Sequence, residues 1–123
     1  MLIIVVVAFG LSGAVAGAKK KNHKWPSQVT LTHPSSTQFA GKVTSRLAAC
    51  RDSRLVTLYY TDPITLQTQP LSVQRTDKAG HYQVDLTTPA YPGSYRVQLS
   101  KQRIRALKAP QTCKGAQSSV VAV

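Results

Sequence analysis

The ten residues RTDKAGHYQV, Arg75 to Val84, decide how this chain is read. They place an Asp, a Lys, a His and a Tyr close together, the composition of a catalytic cluster. Two physical cues argue for a turn instead. Asp77 is followed by Gly80, and glycine takes the left-handed backbone conformation that closes tight turns. Beyond it, His81, Gln83 and Asp85 alternate with Tyr82, Val84 and Leu86. Strict alternation sends the apolar set to one face of a strand and the polar set to the other. The stretch therefore predicts a hairpin. A strand ends at Arg75, Thr76 to Ala79 turn with Asp77 capping the backbone, Gly80 closes the turn, and a strand returns from His81.

The same period recurs in both directions. QVTLTH sets Val29 and Leu31 on one face. QFAGKVTSRL does so for Phe39, Gly41, Val43 and Leu47, and LVTLYY for Val56, Leu58 and Tyr60. PLSVQR pairs Leu71 with Val73. SYRVQLS turns Tyr95, Val97 and Leu99 inward and Arg96 and Gln98 outward, and SSVVAV supplies a last strand. Turn residues separate them in THPSS, YTDPIT and PAYPGS. Only KQRIRALK, from Lys101, hints at a helical turn, and it reads equally as an irregular strand. Short strands, regular turns and no long amphipathic helix predict an all-β fold. The expected form is an Ig-like β-sandwich of about seven strands over residues 28–123, each sheet with one wet face.

The chain of 123 residues suits one domain. Residues 1–18 carry no charge and end in Ala16-Gly17-Ala18, a small-x-small pattern that fits a signal peptide cleaved after Ala18. No Lys or Arg precedes the apolar run. The competing reading is an uncleaved anchor, since about 18 to 20 apolar residues reach the short edge of a bilayer span. Cleavage leaves 123 − 18 = 105 residues. Residues 19–27 read as a basic, flexible lead-in. Cys50 and Cys113 are the only cysteines. In an exported chain such a pair predicts one disulfide, and with it a secreted or cell-envelope location.

Sixteen Lys and Arg stand against four Asp and no Glu, a formal charge of +12. Such a surface attracts polyanions or an anionic membrane surface, with a salt-sensitive pull. The candidate contacts are Lys19, Lys20, Lys21 and Lys24 in the lead-in, and Arg96, Arg103 and Arg105 beyond it. Specific nucleic-acid readout is not expected. It wants aromatics interleaved with cations on an exposed face, and apart from Tyr59 the aromatics alternate inward. A protein partner could be taken along an unpaired edge strand.

Catalytic chemistry finds little support in the pattern. His23, His33 and His81 are scattered, without the spacing of a metal site. There is no GxSxG, Asp77 sits in a turn, and Asp85 faces outward. No cofactor, metal or catalytic residue is assigned. The expected function is a secreted, non-enzymatic structural or binding module. The alternative is a hydrolase built on the sandwich loops.

In order, the chain reads FAGKVTS, Cys50, RLVTLYY, RTDKAGHYQV, PGSYRVQL, CKGAQS and a terminal valine strand. This order, from Phe39 to Val123, resembles the prealbumin-like sandwiches, also called carboxypeptidase regulatory-like or transthyretin-like domains. It is more particularly similar to small secreted bacterial proteins with two cysteines. The resemblance implies architecture more than activity. Hydrolases of 5-hydroxyisourate on this fold carry a Tyr-Arg-Gly-Ser tetrapeptide, which does not occur here. Collagen-adhesin domains form a Lys–Asn isopeptide beside a buried acid. Here the one Asn is Asn22, in the lead-in, and Glu is absent.

Overall fold

A computed structural model describes residues 23–105 and 110–123, and most of the alternating segments among them are strands. In chain order these are β1 (His23–Trp25), β2 (Ser27–Val29), β3 (Thr32–Ser35), β4 (Gln38–Ser45), β5 (Leu55–Thr61) and β6 (Thr68–Arg75). They continue as β7 (His81–Asp85), β8 (Ser94–Leu99), β9 (Gln102–Ile104), β10 (Gln111–Cys113), β11 (Ala116–Gln117) and β12 (Val121–Ala122). A 3₁₀ turn covers Ala48–Cys50. The predicted signal segment 1–18 lies outside the described residues. Among those described, no helix is long and apolar enough to cross a membrane.

Two sheets face one another. In the first, β4 pairs with β7 on one side and with β2 and β3, end to end, on the other. In the second, β5 lies between β6 and β8, and β8 also pairs with β11 and β12. Their inner faces share one core. Val29, Leu31, Phe39, Val43, Tyr82 and Val84 meet Val56, Leu58, Tyr95, Val97 and Leu99. Phe39 and Tyr95 pack at a tilt across the gap with centroids 4.6 Å apart, and Tyr60 continues the row 5.1 Å from Tyr95. Alternation thus becomes burial, at about 1.5–3 kcal/mol for each large side chain removed from water.

Twelve strands are described where about seven were expected. Part of the difference is fragmentation by hydroxyl groups. The pairs Ser27↔Ser45 and Thr32↔Ala40 share one register, broken at Thr30. The Thr30 carbonyl accepts the Tyr82 hydroxyl, so the Lys42 amide turns to Thr30 Oγ1 at 3.0 Å. Likewise the Val97 amide donates to Ser118 Oγ at 2.9 Å, between β11 and β12. The rest is new: β1, β9 and β10 form a third, small sheet. The lead-in predicted over 19–27 is therefore paired from His23 on, in β1 and the start of β2. Leu71 and Val73, set together by their spacing, both lie outside the core. Val73 pairs with Thr57, on the outer side of the sheet, and Leu71 and Val73 are 43% and 54% exposed.

The RTDKAGHYQV stretch keeps its turn and loses its hairpin. Asp77 Oδ1 accepts the amides of Ala79 and His81, each at 2.9 Å, and Gly80 has φ +95°. Yet β6 is paired with β5 and β7 with β4, in different sheets. Thr76–Gly80 is a corner that carries the chain across the core. Its two ends are held by different layers. Thr76 Oγ1 donates to the Arg51 carbonyl at 2.7 Å, while the Gly80 carbonyl accepts the Val43 amide at 2.8 Å.

Cys50 and Cys113 form the expected disulfide, with both cysteines fully buried. It ties the 3₁₀ turn at the mouth of the sandwich to β10 of the small sheet.

Candidate anion-binding site

The small sheet runs β9–β10–β1, antiparallel between β9 and β10 and parallel between β10 and β1. Its register sets Arg103 opposite Thr112, and Thr112 opposite Lys24. Directly opposed residues share a face, so these three form one row across three strands. Lys101 precedes Arg103 by two positions, and Lys114 follows Thr112 by two, which keeps both near that face. Together Lys24, Lys101, Arg103, Thr112, Lys114 and Gly115 line a cleft of about 520 Å³. Thr112 is buried at its floor, at 4% exposure. A second depression of about 510 Å³ adjoins it, sharing Lys101 and Gly115.

Strand spacing places Arg103 and Lys24 roughly 10 Å apart, and i, i+2 neighbours on one strand roughly 6.6 Å apart. These distances are comparable with the Debye length of about 8 Å at physiological salt. The cations therefore feel one another. Among the described residues, no carboxylate lines the cleft. Asp62, Asp77 and Asp85 belong to the β5–β6 turn, the corner and β7, and Asp52 follows the 3₁₀ turn.

Behind the cleft lies Arg54, fully buried. Its Nη1 donates to the Cys50 carbonyl at 2.7 Å and to Ser27 Oγ at 3.1 Å. Its Nη2 donates to the carbonyls of Ser100 at 2.7 Å and Lys114 at 3.0 Å. One guanidinium thus joins β2, the disulfide-bearing turn and the two segments that border the cleft. All four acceptors are uncharged. Burial lowers its pKa from the usual arginine value, but a guanidinium stays cationic in a protein. Its charge adds to those of the face above it.

No family model, curated protein or solved structure matches this chain.

Of the predicted contact residues, the fold brings together Lys24 and Arg103. Arg96 is elsewhere, on the outer face of the β5–β8 sheet, with its guanidinium 5.1 Å from the centre of the Tyr59 ring. Arg105 is exposed just beyond β9 and does not line the cleft. Lys19, Lys20 and Lys21 lie outside the described residues. Lys101 and Lys114 were missed, and so was Arg54. The alternation Lys101-Gln102-Arg103 was legible as a strand with two cations on one side. For Lys114 and Arg54 no local pattern announces the role.

The groups that looked catalytic are occupied. Asp77 and His81 border a cleft of about 350 Å³ with Tyr82 and Thr76. The Asp77 carboxyl is held below its ordinary range, chiefly by the His81 backbone N–H and then by that of Ala79. Burial raises the Tyr82 hydroxyl well above its ordinary range, and that hydroxyl donates to the Thr30 carbonyl. Among the described residues, no three His, Cys, Asp or Glu side chains gather where they could share a metal ion. Two aromatics depart from the inward expectation. Tyr91 is 68% exposed, and Trp25 is half-buried, its indole N–H given to Gln111 Oε1.

Proposed function

We propose that this protein is a secreted, non-enzymatic binding module that holds an anionic cell-envelope or extracellular polymer against the β9–β10–β1 face. The observation that carries the reading is the cleft itself. Four cations surround one buried threonine, with no carboxylate among the lining residues. Exposed like charges within a Debye length repel by a few tenths of a kcal/mol per pair. An anionic partner turns that repulsion into attraction and speeds encounter. The lining residues offer cations but no acid–base pair, which supports binding over turnover. The disulfide and the uncharged first 18 residues support secretion. The sandwich is read as prealbumin-like on the sequence order alone.

The test is retention on phosphocellulose along a chloride gradient. The Lys101→Glu/Arg103→Glu double variant should elute at clearly lower salt than the parent chain. Lys42→Glu/Lys78→Glu makes the same change in net charge at exposed positions in β4 and the corner, and should elute close to the parent. Equal shifts for both variants, or none for either, would overturn the reading.

A further inference from the structure

We infer that the cleft is a site for a phosphate monoester group, a tetrahedral dianion, and that Arg54 is the residue that positions it. This rests on the anion-binding reading above and narrows its ligand. The first argument is charge. Lys24, Lys101, Arg103 and Lys114 line one cleft, with the buried Arg54 guanidinium behind it. A carboxylate or a phosphodiester brings one negative charge against these five cations. A phosphate monoester brings about 1.5 to 2 at neutral pH and three acceptor oxygens.

The second argument is donor geometry. Arg103 supplies a planar fork that suits two oxygens of one phosphate, and the lysines supply point charges around it. Thr112 sits opposite Arg103 and Lys24 in the register, as the floor between them. The third argument is the treatment of competing acceptors. Carbonyl oxygens at the rim of an anion site repel the ligand. Here the Lys114 carbonyl, and that of Ser100 beside Lys101, are both turned to Arg54 Nη2. Arg54 consumes them behind the site while its charge works forward. A substitution there reaches the ligand through Lys101 and Lys114, without direct contact.

The experiment is isothermal titration of the intact, oxidised protein at constant ionic strength. The probes are inorganic phosphate, phenyl phosphate, sulfate and acetate, each at pH 5 and pH 7.5. Phosphate and phenyl phosphate should bind at one site, more tightly at pH 7.5, because the second proton of a phosphate monoester leaves near pH 6 and that of inorganic phosphate somewhat higher, both above pH 5. Sulfate, a dianion throughout, should bind equally at both. Acetate should bind about tenfold more weakly or worse. Phenyl phosphate binding at least as well as inorganic phosphate identifies an ester-borne group, and the reverse order identifies free phosphate as the source.

Arg103→Lys keeps the charge and should still lose about tenfold, since it removes the fork. Arg54→Lys should weaken phosphate without changing its pH profile. If Arg54→Lys fails to fold, Ser27→Ala tests the same role, because it removes one of the four groups that fix the guanidinium. Unchanged affinity in the folded member of that pair would overturn the positioning role. Acetate binding as well as phosphate would overturn the ligand assignment and leave the polymer reading intact. Retention on phosphocellulose with no phosphate or sulfate titration would do the same. Loss of both retention and titration would overturn both.

Discussion

Arg54 and Thr76 hold each other in a reciprocal clasp. The Arg54 amide donates to Thr76 Oγ1 at 2.8 Å, and the Thr76 amide donates to the Arg54 carbonyl at 3.0 Å. The same hydroxyl donates to the Arg51 carbonyl at 2.7 Å. Thr76 is buried, so the three bonds are not exchanged for water when one is lost. Thr76→Val keeps the shape and strands a buried amide and a half-buried carbonyl. It should cost about 1–3 kcal/mol in chemical denaturation. Thr76→Ser should recover most of that loss. Equal stability of the Val variant and the parent would show that the clasp contributes nothing.

The disulfide closes a separation of 63 residues between the 3₁₀ turn and β10. The chain-entropy treatment gives about 4 kcal/mol for a loop of that length. Cys50→Ala/Cys113→Ala should therefore unfold at markedly lower denaturant than the oxidised parent. Reduction of the parent should bring it to the same midpoint. A midpoint unaffected by reductant would contradict this.

Gly41 has no room for a side chain. A Cβ there would run into the Thr30 carbonyl oxygen and the Tyr82 ring and hydroxyl, all of which form the β2–β4–β7 seam. Gly41→Ala should destabilise by about 1–3 kcal/mol through overpacking. Tyr82→Phe, which keeps the ring and loses only the bond to Thr30, should cost about 1 kcal/mol. Thermal unfolding of the two variants side by side checks the order.

Acid should weaken the fold through its turns. Backbone amides hold the carboxyls of Asp62 and Asp77 below their ordinary range. For Asp62 the donors are Thr65 and then Ile64, and for Asp77 His81 and then Ala79. A lowered folded value means that folding favours the charged form. That stability is complete above the ordinary Asp value of about 3.9 and is lost as pH falls through the lowered values. Asn keeps the accepting oxygen and removes the titration. The denaturation midpoint of Asp62→Asn/Asp77→Asn should thus fall less than the parent's between pH 5 and pH 2. Parallel curves would sink the assignment.

How much of this was legible depends on the range of each interaction. Tyr82 and Val84, and Tyr95, Val97 and Leu99, fell on the inner faces that their alternation dictates. Asp77 and Gly80 made the turn that their chemistry prefers. Turn chemistry fixes a few backbone angles, however, and not the sheet to which the flanking strands belong. That was decided by Thr76 and Gly80 bonding to different layers. Lys24 and Arg103 were named as cations, but their meeting depends on two strand pairings with Gln111–Cys113, which no local period encodes. Arg54 sits in the polar run RDSR, and nothing there distinguishes a core residue from a solvated one.

The parallel pairing of His23–Trp25 with Gln111–Cys113 has a kinetic consequence. Trp25 and Gln111 are bonded across 86 positions of sequence. Closing a loop of that length costs about 4 kcal/mol of chain entropy before any contact rewards it. Such pairings form late, after the local strands have condensed. Topology thus predicts that the cationic face is completed after the two main sheets. Until Gln111–Cys113 pairs with both neighbours, Lys24 and Arg103 stand on strands that nothing joins.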